Sequence, residues 1–142
     1  MALNVLVIDD SAVMRAMIIK TLRLCGLPFN EIHEAGNGAE ALCLLEQHWI
    51  DLALLDVNMP VMNGEEMLTQ VRQNPETADL PVIVVSTEGS DTRIAALRQL
   101  GAAFVHKPFA PEALREAIVG ITGVSDESGM ADGTFASSGP DF

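Results

Sequence analysis

Five short strand-like segments alternate with five stretches of helical periodicity, and that alternation leaves few architectures open. Four of the segments, at 3–8, 52–56, 81–86 and 103–107, are apolar runs; the other, at 31–35, is short and alternating, with Ile32 inward. Runs without polar interruption suit strands buried on both faces. The stretches between them carry helix punctuation. Ser11 caps a helix from Ala12 to Cys25, with Met14, Met17, Ile18, Thr21, Leu22 and Cys25 inward, closed by Gly26 and Pro28. Asn37 with Glu40 opens a second helix to about His48, with Ala41, Leu42 and Leu45 inward. Gly64 to Gln73 forms a third, with Met67, Leu68 and Val71 on one face, stopped by Asn74-Pro75. Ser90-Asp91 begins a fourth, running to Leu100 and closed by Gly101, and Pro111 opens the last, with Leu114, Ala117, Ile118 and Ile121 inward. Strand and helix in strict turn predict an α/β fold: a five-stranded parallel sheet, right-handed crossovers and helices on both faces.

The expected domain is 1–122. From Gly123 onward Gly, Ser and acidic residues replace periodicity, so 123–142 reads as an acidic, disordered tail. The net charge of -12, with only 8 Lys and Arg, argues against a nucleic-acid partner. No run is long enough to cross a bilayer, and the N-terminal residues lack a signal-peptide pattern, so a cytoplasmic protein away from membranes is expected. Cys25 and Cys43 match no metal spacing and read as reduced packing residues.

In a parallel sheet of this kind ligands bind beyond the C-terminal ends of the strands. The polar residues at those ends are Asp9 and Asp10, Asp56, Ser86 and Lys107. Three carboxylates gathered there repel one another, and one lysine cannot neutralise them; an all-oxygen donor set suits Mg²⁺. The same set suits phosphoryl transfer to Asp56, with Lys107 and the cation balancing charge and Ser86 donating a hydrogen bond.

Val7-Ile-Asp9-Asp10-Ser11, Leu55-Asp56-Val-Asn58-Met-Pro60-Val-Met-Asn-Gly64, Val85-Ser86-Thr87-Glu88 and Lys107-Pro108-Phe109 resemble the receiver domains of two-component response regulators, in the single-domain, CheY-like chemotaxis arrangement. The resemblance spans about residues 3–122. It implies the flavodoxin-like strand order 2-1-3-4-5. Asp9, Asp10, Asp56 and the backbone carbonyl of Asn58 would hold Mg²⁺ (or Mn²⁺), and Asp56 would receive phosphate from a sensor histidine kinase. Ser86 and Lys107 would contact the phosphoryl group, and Phe104 would serve with Ser86 as the switch. The response would remodel the face of helix four, strand five and helix five for a downstream protein target, in a monomer or a phosphorylation-dependent dimer. Asn58, Glu88 and Thr87 occupy positions that modulate rate, with Thr87 larger than is usual there. Phe104 lacks the hydroxyl of the tyrosine often found at its place, and Ala110 is a poor helix cap.

Plainer readings stand beside these. Asp9 and Asp10 could cap the first helix, Ser86 could be a satisfied strand-end hydroxyl, Lys107 a loop lysine and Phe104 ordinary core. Phosphotransfer at His106 is not expected; it reads as surface, as do His33 and His48. Methionines 14, 17, 59, 62 and 67 read mainly as core, and Glu65 and Glu66 as first-turn acids with no partner. The alternative function is an Mg²⁺-dependent aspartate-based phosphatase of small esters, but the acid such enzymes need two residues after the nucleophile is replaced by Asn58. The chain is therefore expected to catalyse only its own phosphorylation and dephosphorylation, and to act through protein contacts because no effector domain follows Thr122.

Overall fold

The computed structural model describes residues 2–56, 64–86, 91–107 and 110–123. Among them strands and helices alternate: β1 (Leu3–Ile8), α1 (Ala12–Leu24), β2 (Phe29–Ala35), α2 (Gly38–Gln47), β3 (Leu52–Leu55), α3 (Gly64–Gln73), β4 (Val82–Ser86), α4 (Asp91–Gln99), β5 (Ala103–His106) and α5 (Pro111–Thr122). Every strand pair is parallel, and the order across the sheet is β2-β1-β3-β4-β5. The proposed tail from 124 lies outside the described residues.

The apolar runs fill two cores because successive strand residues point to opposite faces. Leu6 and Ile8 of β1 join Ala53, Leu55, Val82 and Val84 beneath α2, α3 and α4, where Ala41, Met67, Leu68, Val71 and Leu97 pack. Val5 and Val7 join Leu52, Leu54, Ile83 and Val85 against Ile18 and Leu22 of α1 and Leu114 and Ile118 of α5. Burial on both faces explains why the central strands read as continuous apolar runs.

The caps expected for α1 and α2 are in place, while Ser90, the cap expected for α4, lies outside the described residues. The Ser11 side chain accepts the Met14 N–H at 3.2 Å, and the Asn37 side chain accepts the Glu40 N–H at 2.9 Å. The Glu40 carboxylate turns back to accept the Gly36 N–H at 2.9 Å. Ala110 makes no capping hydrogen bond, so α5 relies on Pro111 at its start and on Gly123, in the left-handed region, at its end.

Several expectations need correction. Met17 is 55% exposed, so the inward stripe of α1 is narrower than its periodicity predicts. Cys43 is exposed on α2 and is not a packing residue. β2 begins two residues earlier than its short alternating pattern indicates, at Phe29, because pairing with β1 starts at Leu3. Glu65 and Glu66 both have partners; Oε1 of Glu65 lies 2.6 Å from Nε of Arg93, joining the first turns of α3 and α4.

Two interior contacts not apparent in the sequence brace the sheet. Arg72 Nε donates to the Leu100 carbonyl at 2.6 Å, and its Nη1 donates to the carbonyls of Ala78 and Leu80 at 3.0 and 2.7 Å. Burial lowers the guanidinium's affinity for its proton, with Asp79 opposing. Cys25 Sγ reaches the carbonyls of Thr21 and Pro111 at 3.3 and 3.4 Å, linking α1 to α5. Burial pushes this thiol up, Arg115 pulls it down, and Glu112 adds a small upward push.

Candidate functional site

Because all strands run in parallel, the C-terminal ends of β1, β3, β4 and β5 open on one edge of the sheet, and the polar residues named above stand there. Asp9 and Asp10 follow β1. The Asp9 N–H donates to the Ala35 carbonyl of β2 at 3.1 Å, which extends the ladder and fixes the carboxylate inside the edge. Asp9 Oδ1 accepts the Ser11 N–H at 2.9 Å, so this carboxylate also starts the turn into α1. The helix-capping reading of Asp9 therefore holds in part, and it leaves Oδ2 facing the site. Asp56 follows β3, with its N–H donating to the Ile8 carbonyl at 3.0 Å.

Ser86 ends β4, and Lys107 follows β5 directly. The Lys107 N–H donates to the Ser86 carbonyl at 2.9 Å, locking the two residues side by side. Asp9, Asp56 and Ser86 are buried, at 2%, 9% and 1% exposure, whereas Asp10 is exposed. One oxygen from each of Asp9, Asp10 and Asp56 lies within 4.8 Å of the others. Lys107 Nζ stands 3.3 Å from Asp9 Oδ2 and 4.0 Å from Asp56 Oδ2. The loop-lysine reading is thus ruled out: this ammonium is largely buried among carboxylates. Lys107 alone does not balance three carboxylates; a small divalent cation would relieve the excess, and the carboxylate donors are all oxygen, as Mg²⁺ prefers.

The sequence reading missed Arg15. Its Nη1 donates to the Asp9 carbonyl at 2.6 Å and its Nε pairs with Glu34 Oε1 at 3.0 Å, so α1 is stapled to the ends of β1 and β2. The signal was its position one turn after the Ser11 cap, which turns that side chain back toward the strand end.

Asn58, Thr87 and Glu88 lie outside the described residues. Phe104 is half-buried and packs against the core under α4, while its ring meets the exposed His106 edge-on at 4.7 Å between centroids. Through strand register it is tied to the site: Phe104 pairs with Val84 and His106 with Ser86. Asp51 stands at the opposite edge, where it accepts the Asn4 N–H at 2.9 Å and the Trp49 indole N–H at 2.8 Å. A groove of about 750 Å³ opens at that far edge, lined by residues including Trp49, Ile50, Pro75 and Leu80. It is remote from the carboxylates and offers them no substrate pocket.

Residues 5–119 match the response regulator receiver domain family. A chemotaxis protein CheY homolog of Campylobacter jejuni is 34% identical over 132 residues, covering 92% of this chain and all of the relative. Chemotaxis protein CheY1 of Helicobacter pylori is 32% identical over 126 residues, covering 87% of this chain and all of that one. The solved structure of Vibrio cholerae CheY4 superposes with a TM-score of 0.75 at 33% identity, over 85% of this chain and 99% of that one. A putative response regulator from Chloroflexus aurantiacus gives 0.78 at 28% identity, over 87% and 99%. The ester phosphatase finds no support in these matches. With its sheet order, its strand-end carboxylates and these relatives, the chain belongs to the response regulator receiver domains, the phospho-accepting modules of two-component relays.

Proposed function

We propose that Asp56 is the phosphoryl acceptor of this receiver and that a histidine kinase is the donor. The observation that carries the reading is the buried Asp56 carboxylate within 4.0 Å of Lys107 Nζ and beside Asp9 and Asp10. In the transfer a carboxylate oxygen of Asp56 attacks phosphorus in line with the donor imidazole. The P–O bond forms, the P–N bond breaks, and the electron pair leaves with the imidazole nitrogen, which takes a proton from solvent. Lys107 offsets charge on the transferring group, and the Ser86 hydroxyl donates to it once it is seated. Asp9, Asp10 and Asp56, with the Asn58 carbonyl, would hold Mg²⁺, which supplies neutralising charge when bound. Water reversal of the acyl phosphate is tuned by Asn58, Glu88 and Thr87, so the chain's chemistry is confined to its own phosphorylation and dephosphorylation.

The output is a protein contact. Phe104 and Ser86 move together on adjacent strands, and the α4–β5–α5 face changes its affinity for a downstream partner. Kinship with chemotaxis proteins of similar length favours a chemotaxis pathway and a cytoplasmic setting; among the described residues no helix is long and apolar enough to cross a membrane. The test is intact-mass measurement after incubation with acetyl phosphate and Mg²⁺. One phosphoryl group gained by the native chain and none by Asp56→Asn is the expected result. Equal uptake by both proteins would move the acceptor elsewhere.

A further inference from the structure

Away from the phosphoacceptor edge, β2 and α2 bring together two imidazoles and a carboxylate. Glu31 and His33 lie two residues apart on β2, so both side chains leave the same face of this edge strand. That is the face covered by α2, whose C-terminal cap is His48. The His33 and His48 rings stack at 4.3 Å between centroids with 26° between planes. His33 Nε2 is 3.1 Å from Glu31 Oε1, and one donor atom from each of the three residues lies within 4.8 Å of the other two.

We propose that Glu31, His33 and His48 form a binding site for a borderline divalent cation, Zn²⁺ foremost. Donor chemistry supports this choice: two imidazoles and one carboxylate suit zinc, whereas Mg²⁺ seeks oxygen alone. The spacing supports it as well. Bonds of about 2.0–2.2 Å at a tetrahedral angle place neighbouring donors roughly 3.3 Å apart. His33 and Glu31 already meet that separation, with the metal taking the place of the shared proton. His48 is exposed at a helix end, with a ring nitrogen within 4.8 Å of the other donors. Three protein donors leave a fourth position for water or a partner's side chain. Occupied, the site would pin the outer strand of the sheet to the end of α2.

A hydrogen-bonded surface histidine is the commoner meaning of such a contact, so the test must separate the two. Zinc is titrated calorimetrically into the full chain under excess Mg²⁺, which fills the strand-end carboxylates, and in a Cys43→Ala background, which removes the exposed thiol. One equivalent bound with a micromolar dissociation constant is expected. His48→Gln and His33→Gln should each weaken it at least tenfold while circular dichroism stays native. Cobalt titrated in its place should give the intense visible bands of tetrahedral coordination in the protein with both histidines and in neither histidine variant. Binding only at millimolar zinc, or micromolar binding indifferent to both histidine substitutions, would overturn the assignment.

Discussion

Replacing Lys107 by Met tests whether the lysine and a bound cation compete for the same carboxylates. Contacts of 3.3 and 4.0 Å to Asp9 and Asp56 correspond to attractions of about 5 and 4 kcal/mol at an effective dielectric of about 20. Each pair of carboxylate oxygens within 4.8 Å repels by at least about 3.5 kcal/mol on the same scale. Burying the ammonium costs a large part of that attraction, which leaves a net contribution of about 2 kcal/mol without divalent cation. Met keeps the length of the stem, so packing changes little. The variant should therefore unfold more easily in urea without Mg²⁺, and the deficit should shrink when Mg²⁺ is present. By linkage the same coupling must appear as tighter binding: about 1–2 kcal/mol is a gain of roughly fivefold to thirtyfold in Mg²⁺ affinity. Calorimetric titration of both proteins reads it directly. Equal or weaker Mg²⁺ binding by Lys107→Met would refute the competition.

Arg72→Met should lower stability by about 2–4 kcal/mol in urea unfolding, because three carbonyls lose a charged donor; a loss under about 1 kcal/mol would show that water replaces it fully. Arg72→Lys should recover only part, as one ammonium cannot span Leu100 and the Ala78–Leu80 turn together. Cys43 should react with a thiol reagent in the native protein within the time of mixing, and Cys25 only after unfolding. Since the folded state raises the Cys25 thiol, the unfolded chain surrenders that proton first, and stability should fall as pH climbs above the ordinary thiol value. A flat alkaline stability profile that steepens only with Cys43 present would contradict this.

Most of the fold was legible because its signals are local and repeated. Val5 to Ile8, Leu52 to Leu55 and Val82 to Val85 are buried on both faces and so read as uninterrupted apolar runs. The strand ends were legible for the opposite reason, since a buried Asp9 or Asp56 interrupts such a run and calls for a partner. What stayed hidden depends on contacts distant in sequence. Glu65 looks like any first-turn acid until α4 places Arg93 beside it. Arg72 looks like a last-turn base, yet it serves carbonyls after α3 and after α4. Met17 obeys helical spacing but falls just outside the strip that the sheet covers, an angular margin that periodicity alone does not resolve. The strand order itself came from resemblance, since alternation fixes parallel pairing and handedness but not which strands are neighbours.

The Glu65–Arg93 bridge has a position that makes its small energy matter. It joins the first turn of the helix that follows Asp56 to the first turn of the helix that follows Ser86. Both side chains are about a third exposed, at 37% and 28%, and an ion pair so placed contributes up to about 1 kcal/mol. That is a minor part of a domain's stability, but a two-state equilibrium biased by 1 kcal/mol shifts roughly fivefold. If the bridge holds α4 in its resting position, Glu65→Gln should raise the unphosphorylated population of the active α4–β5–α5 face by up to about fivefold while changing the unfolding free energy by less than about 1 kcal/mol. Chemical-shift positions of α4 amides, placed between the resting and phosphorylated extremes, measure that population. In a double-mutant cycle with Arg93→Met, Glu65→Gln should then add no further shift once Arg93 is replaced. Shifts that add independently, or α4 resonances unmoved by either substitution, would mean that the bridge restrains only the helix ends and has no hold on the switch.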